Sequence, residues 1–504
     1  MNNDPRNRTT HARRRPEAMV NDNSGELRGR PSVDQASRSR QVSRSGQHHD
    51  QRKTTQRRPD SEYKFSAGNS RRPTPGATAS RHVTTLTPAD ERRLARRENR
   101  AIREYKREEE WQKEVVRVRG GIDVFMLAII LIMLALGSIT VFSASYPRAI
   151  SEDVSSSYYI ANQAKFLVIG FVVMIIAIII PIKWYKNWAP IPAYVVSAIL
   201  LVAVLFIGRS VGEAVRWIKI GPFNLQPSEL MKISLVLMIA WYAEKYEKQM
   251  KDLDRGKTSY KWNILYPCII LGIACVLVLI GRHLSGTIIV GCIGFFMLIL
   301  AGCKLSWLLF TVLPVAAVAL GGFLALNPYA LKRITTFTDD NADVLDELYQ
   351  TTQSIYAIGS GGLFGKGFGQ SQQKYGYLGN AHTDFIFSVW CEELGFIGAV
   401  ALILLFLLFI WRGYVIALRS PDKFTMLTAF GITTHVGIQA FLNMCVASDI
   451  IMNTGVTLPF FSYGGSALIV LMGEMGILLS ISRQYYRKKS DIEREELLKK
   501  AGMD

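Results

Sequence analysis

Cysteine is scarce in this chain of 504 residues: there are six, Cys268, Cys275, Cys292, Cys303, Cys391 and Cys445, all within or beside apolar segments. They form no CxxC pair and have no histidine partner at metal-ligand spacing, so neither a disulfide framework nor a zinc site is indicated. They read as small buried hydrophobes. The first 120 residues also lack any apolar run, so no cleaved secretory signal is expected and the first membrane span must itself direct insertion. Acidic residues are few in the same stretch, 16 against 29 Lys and Arg, which places a net +13 of the chain's +18 in the N-terminal segment. That basic segment has no aromatic interleaving and no recognition motif, so no nucleic acid partner is expected. Attraction to an anionic inner leaflet or an acidic protein, or simple solvation, accounts for it equally well.

Apolar sequence dominates the remainder. Hydrophobic residues make up 49% of the chain, and runs such as Val124 to Val141, Phe166 to Ile182 and Ala399 to Trp411 reach or approach the length that crosses a hydrocarbon layer. A soluble globular enzyme is excluded. Hydropathy predicts an all-α polytopic membrane protein of ten spans, centred near residues 134, 171, 198, 236, 271, 294, 315, 399, 435 and 473. Residues 1–86, rich in Arg, Ser, Gln and Pro, are expected to be a disordered basic cytoplasmic tail. Residues 87–120 open with Thr87, Pro88 and Asp90 as a helix start and stay charged nearly all round, predicting a juxtamembrane helix. The ten-helix domain occupies 121–485, and 486–504 form a C-terminal tail. Basic loops after the fourth span (Lys245 to Lys261) and the eighth (Arg412, Arg419, Lys423), with Arg483 and Arg487 to Lys489, place both termini in the cytoplasm.

The same count puts the long connection from Asn327 to Thr383, between helices 7 and 8, outside. It holds the Gly-rich run IGSGGLFGKGFGQ (Ile358 to Gln370) and the segment AHTDFIF (Ala381 to Phe387). The glycine run lacks a GKS or GKT ending and a preceding strand, so it is not a nucleotide loop, although its glycines would let backbone approach an anionic head group. Ionisable residues at membrane depth are functional candidates because they are costly there. They are Glu229 and Lys232, Arg282 and His283, Asp384, Glu392 and Glu393, His435 and Glu474. Glu229 and Lys232 share a helix face and read as a neutralising pair. Glu392 and Glu393 lie too far along the helix from Asp384 to share its chemistry and read as structural. His435 reads as a satisfied core histidine. Asp384 stands apart, with His382 and Thr383 beside it and the Gly-rich loop in front. A carboxylate at a half-dehydrated interface suits a general base for a sugar hydroxyl, and a helix N-terminal carboxylate held by the helix dipole explains it equally well.

Three segments, RWIKIGPFNLQPSELMKISLVL (Arg216 to Leu237), Thr351 to Gly398 with its HTDF motif, and NTGVTLPFFSYGGSAL (Asn453 to Leu468), resemble the signature regions of the SEDS family, which contains FtsW, RodA and SpoVE. The QSQQK run is closer to the division and sporulation branch, FtsW and SpoVE. The resemblance implies a bacterial cytoplasmic-membrane peptidoglycan glycosyltransferase acting on lipid II, with Asp384 as the essential acid. It carries Arg216, Gln226, Ser228, Glu229, Lys232, His382, Thr383, Asn453, Pro459, Ser462, Gly464 and Gly465 into the substrate site. Lys366 joins them as a cation on position alone. A class B penicillin-binding protein transpeptidase and other division proteins are the implied partners. No metal ligands are expected, and a divalent cation (Mg or Mn) bridging pyrophosphate and Asp384 is the one cofactor compatible with the chemistry. A lipid II flippase or a catalytically weak division scaffold would use the same polar groups. Two positions depart from the family pattern: Gly379-Asn380 stands where members read Pro-Glu, and Arg282-His283 where many are acidic.

Overall fold

The computed structural model describes residues 115–211, 214–220, 223–251, 260–326, 349–453 and 455–490, together with Asn99, Arg103 and Leu331. The expected tail 1–86 lies outside the described residues. Among the described residues thirteen α-helices run in chain order: α1 (Val124–Ser151), α2 (Tyr158–Ile179), α3 (Ile182–Asn187), α4 (Pro190–Ile207), α5 (Pro227–Lys245), α6 (Glu247–Lys251), α7 (Tyr266–Ile280), α8 (Leu284–Leu300), α9 (Leu305–Leu326), α10 (Tyr349–Ser360), α11 (Ile386–Arg419), α12 (Lys423–Ala447) and α13 (Gly465–Ser482). A π-helical turn, Lys261–Leu265, leads into α7.

Each of the ten predicted centres falls inside a helix. Eight of the described helices are long and apolar enough to cross a membrane: α1, α2, α4, the segment Lys261–Ile280, Leu305–Ala325 of α9, α11, α12 and α13. The chain is thus a multi-pass membrane protein. Helix α8 is apolar but shorter. Helix α5 carries Glu229, Lys232, Glu244 and Lys245, and protein surrounds it on most sides, with α4, α8 and α12 against it. A helix shielded from lipid can keep such residues at no hydrocarbon cost.

The fold is mostly helical, as expected, and among the described residues five short strands that the expectation did not include form two small sheets. In the first, β1 (Val115–Arg119) pairs antiparallel with β5 (Gln484–Lys488), Val118 opposite Tyr485. Of the juxtamembrane helix expected over 87–120, residues 115–119 are strand, and 87–114 lie outside the described residues apart from Asn99 and Arg103. The sequence VVRVR alternates branched apolar and basic residues, a strand pattern that its charge obscures. In the second, β2 (Arg209–Val211), β3 (Ala214–Ile220) and β4 (Phe223–Leu225) form a meander between α4 and α5. Near the first sheet, Asp123 caps α1 by accepting from the Met126 amide (2.8 Å) and receives both Arg412 Nε and Nη2 from α11. The Asp123 amide donates to Ser482 Oγ (3.1 Å), so the ends of α1, α11 and α13 are tied together.

Helix α11 is broken at Gly395, whose φ of 67° and ψ of −163° no helix accommodates. The break deprives Phe396 and Ile397 of their normal acceptors, the carbonyls of Glu392 and Glu393. The Gly-rich loop fills the gap. Phe396 and Ile397 donate to the carbonyls of Gly362 and Leu363 (2.8 and 3.2 Å), while Lys366 and Gly367 donate to those of Glu392 and Glu393 (both 3.0 Å). All four backbone groups opened by the break are satisfied by loop 361–367.

Candidate functional site

Asp384 sits just before α11, half-buried, at the end of a turn organised by Asn380. The Asn380 carbonyl accepts from the amides of Thr383, Asp384 and Phe385 (3.0, 3.1 and 3.3 Å). Asn380 itself has φ of 54°, a left-handed conformation that asparagine adopts more readily than most residues. At the second of the two departing positions the backbone gives a rationale: Asn380, which stands where members read Glu, takes a left-handed conformation that asparagine adopts more readily than glutamate.

Three successive carbonyls of this segment are held from outside it. The Tyr463 amide donates to His382 O (2.9 Å), Ser462 Oγ to Thr383 O (2.6 Å) and Asn443 Nδ2 to Asp384 O (2.7 Å). Thus the third signature segment fixes the backbone of the second. Ser462 Oγ also accepts from the Leu458 amide (2.7 Å), closing its own loop. Asn453 Oδ1 accepts from the Gly455 amide (3.2 Å), and a side chain at Gly455 would begin 3.6 Å from Asp384 Oδ2. Asn453 Nδ2 reaches Gln350 Oε1 on α10 (3.4 Å). Glycine at 455, with φ of 68°, keeps this flank of the carboxylate open.

His382 is buried with its ring between Tyr159 and Tyr463, at centroid distances of 5.3 and 5.8 Å. Burial first, and then the positive charge of Arg148, push its pKa down to about 4, with Glu152 acting in the opposite sense. The Tyr159 hydroxyl, a 2.5 Å donor to Glu152, and Arg148 beside it hold the Glu152 carboxyl below the usual carboxylate range. His382 is neutral at pH 7 and packs as an aromatic. Unfolded, it binds a proton from about pH 6.5 downward, whereas folded it does so only near 4. Its contribution is therefore complete above pH 6.5 and is lost as pH falls toward 4, a loss of about 3 kcal/mol by linkage. The unfolding midpoint of the purified protein, scanned from pH 7 to 4.5, should fall. His382→Phe should flatten that part of the curve, and an unchanged slope in the variant would assign the effect to other groups.

A second cluster lies within the bundle. Lys232 Nζ pairs with Glu229 Oε2 (2.7 Å) and donates to Gln439 Oε1 (2.7 Å). Gln439 Nε2 donates to Thr457 O (3.1 Å), which turns Oε1 toward Lys232 and toward His435 Nε2 (2.9 Å). His435 Nε2 therefore faces an acceptor, and its Nδ1 lies 2.8 Å from Glu474 Oε2. Glu229, His435, Gln439, Thr457, Pro459, Ser462 and Gly464 line a cavity of about 20 Å³, room for a single water. Through Ser462 this network adjoins the Asp384 segment. His435 is the satisfied core histidine expected, but its link to Glu474 and Lys232 was not visible in their spacing.

The remaining candidates have partners of their own. Lys366, expected as a cation for substrate, has its ammonium 2.7 Å from Glu392 Oε1. Glu392 also receives Ser371 Oγ (2.5 Å) and the Gln372 and Gln373 amides (3.1 and 3.3 Å), while Glu393 pairs with buried Lys374 (2.8 Å) and receives Ser143 Oγ (2.5 Å). The two glutamates are thus the structural groups expected, clamping the loop that their own carbonyls also hold. Arg216 Nη2 donates to Arg282 O (3.2 Å), and Ser228 Oγ lies 3.2 Å from His283 Nδ1. The Gln226 amide donates to Ser466 Oγ (3.3 Å), and Gly465 admits the Phe166 ring, which a Cβ there would meet. Among the described residues no group of three or more His, Cys, Asp or Glu side chains is placed to hold a metal ion.

The family of cell cycle proteins comprising FtsW, RodA and SpoVE matches residues 123–487. The chain belongs to this family. Among its relatives, a probable peptidoglycan glycosyltransferase FtsW of Geobacter sp. (strain M18) is 35% identical over 367 residues, covering 72% of this chain and 97% of that protein. Stage V sporulation protein E of Bacillus subtilis is 36% identical over 369 residues, covering 72% and 97%. Of solved structures, the rod shape determining protein RodA of Thermus thermophilus superposes with a TM-score of 0.53 at 28% identity, covering 72% of this chain and 97% of that one. A chain from a peptidoglycan synthase complex, described as coordinating polymerization and crosslinking, superposes at 0.58 with 27% identity, covering 72% and 98%.

Proposed function

We propose that this protein polymerises lipid II into glycan strands at the outer face of the bacterial cytoplasmic membrane, with Asp384 as general base. The observation that carries the reading is the tethering of the Asp384 backbone: donors from α12 and from the 455–463 loop hold the carbonyls of residues 382, 383 and 384. A carboxylate so fixed meets the geometric need of a base that must stay within hydrogen-bond reach of one hydroxyl. In this mechanism the carboxylate takes the proton of the acceptor GlcNAc 4-hydroxyl while that oxygen attacks the anomeric carbon of the lipid-linked donor. The C–O bond to undecaprenyl pyrophosphate breaks, and its electron pair leaves with the pyrophosphate. A single displacement inverts the sugar carbon and needs no second carboxylate.

Arg216 is the cation for the leaving pyrophosphate. Were a magnesium or manganese ion to bind, Asp384 would be the residue that holds it, and the ion would supply charge neutralisation for the leaving pyrophosphate. The two helices that fall short as apolar spans, α5 and α8, complete ten crossings around the site. Both termini then face the cytoplasm, and α10 and the 361–385 loop face outward. The partner is a class B penicillin-binding protein, which cross-links the glycan; kinship with a chain from a synthase complex supports this. Family membership, the QSQQK run and the relatives named FtsW and stage V sporulation protein E favour division or sporulation.

Purified protein given fluorescent lipid II in proteoliposomes tests the reading. Glycan chains that a muramidase digests are expected, with a requirement for added divalent cation. Movement of lipid II between leaflets without polymer would instead identify a flippase, and neither product would identify a scaffold.

A further inference from the structure

Asn443 lies on α12 and is completely buried, and nothing in its sequence context marks it. Both hydrogens of its amide are engaged, one by Asp384 O and one by Val456 O, each at 2.7 Å. The two acceptors belong to different segments, the turn that precedes α11 and the connection between α12 and α13. Of the three donors to the 382–384 carbonyls, Tyr463 and Ser462 stand on that connection and Asn443 alone stands on a helix. A site anchored to a helix is placed more reproducibly than one held loop to loop. Asn443 Oδ1 is buried with no partner among the described residues, so the side chain is held by its two donated bonds.

We propose that Asn443 is the positioning residue for Asp384: it references the backbone of the base to the membrane-embedded frame and so sets the distance from carboxylate to acceptor hydroxyl. The proposal rests on the reading of Asp384 as general base. Asn443 acts through the Asp384 main chain and does not touch substrate. Its removal should therefore lower the rate of the chemical step while leaving substrate affinity in place. A misplacement of about 1 Å costs on the order of 10²-fold in such a step.

Steady-state polymerisation of lipid II by Asn443→Ala and Asn443→Ser, normalised to monodisperse folded protein, is the test, with Asp384→Ala alongside. Asn443→Ala should lose about 10- to 100-fold in kcat with KM within about twofold, and Asn443→Ser, which keeps one hydroxyl donor, should lose less. If the alanine variant does not accumulate, the serine variant alone must still show a fall in kcat at constant KM. A kcat per folded molecule within about twofold of wild type, or a raised KM at unchanged kcat, overturns the proposal. An inactive Asp384→Ala beside a normal Asn443→Ala removes only the role of Asn443. Polymer persisting in Asp384→Ala removes the reading on which it rests.

Discussion

Asp384→Ala is expected to slow polymerisation of lipid II by about 10²- to 10⁴-fold, the range that a positioned general base contributes. Asp384→Asn should be almost as slow, because an amide of the same shape cannot accept the hydroxyl proton. The donors to residues 382–384 bond to main-chain oxygens, so truncating a half-buried side chain leaves them in place. The variants should therefore fold and melt like the parent, within about 1 kcal/mol. A gel of glycan products from equal amounts of folded protein gives the answer. Polymer from Asp384→Asn at a tenth of the normal rate or more would move the base elsewhere.

Gly365→Ala should cost more than about 4 kcal/mol of stability, a value reserved for strong local conflicts. The residue has φ of 79°, which already penalises a side chain, and an added Cβ would lie 2.1 Å from Glu393 O and 2.6 Å from the Leu394 amide nitrogen. Those atoms are backbone of α11, itself bonded to the loop by Lys366 and Gly367, so they have nowhere to retreat. Gly369 is the internal control. Its φ of 80° is nearly the same, but nothing lies within 4 Å of a Cβ there, so Gly369→Ala should cost only about 1 kcal/mol. Thermal unfolding of both variants in one detergent separates crowding from backbone conformation, and equal losses would refute the packing argument.

The helix positions were legible because lipid-facing surfaces must be apolar, and a hydropathy window measures that requirement. Helix α5 was legible in position but is not apolar enough to mark a span, since protein rather than lipid surrounds Glu229 and Lys232. The strand β1 was hidden because Arg117 and Arg119 make VVRVR look like the end of a charged helix, and only its partner, more than 360 residues later, makes it a strand. Asp384 and its neighbours could be found from the motif. What those neighbours do could not, because the bonds from Tyr463, Ser462 and Asn443 span about sixty to eighty residues. The glycine run invited a head-group role, yet Gly365 is required by close approach to α11, and the signal that would have revealed this is Gly395 in the middle of a predicted helix. Lys366 looked like an available cation only until Glu392 was placed opposite it.

Since loop 361–374 supplies the main-chain bonds missing at Gly395 and also carries the partners of both glutamates, the loop and residues 386–394 form one stiff piece. Because the same loop also takes the amides of Phe396 and Ile397 beyond the break, Gly395 redirects the helix without becoming a joint, and the segment that leads back to Asp384 is braced at both ends.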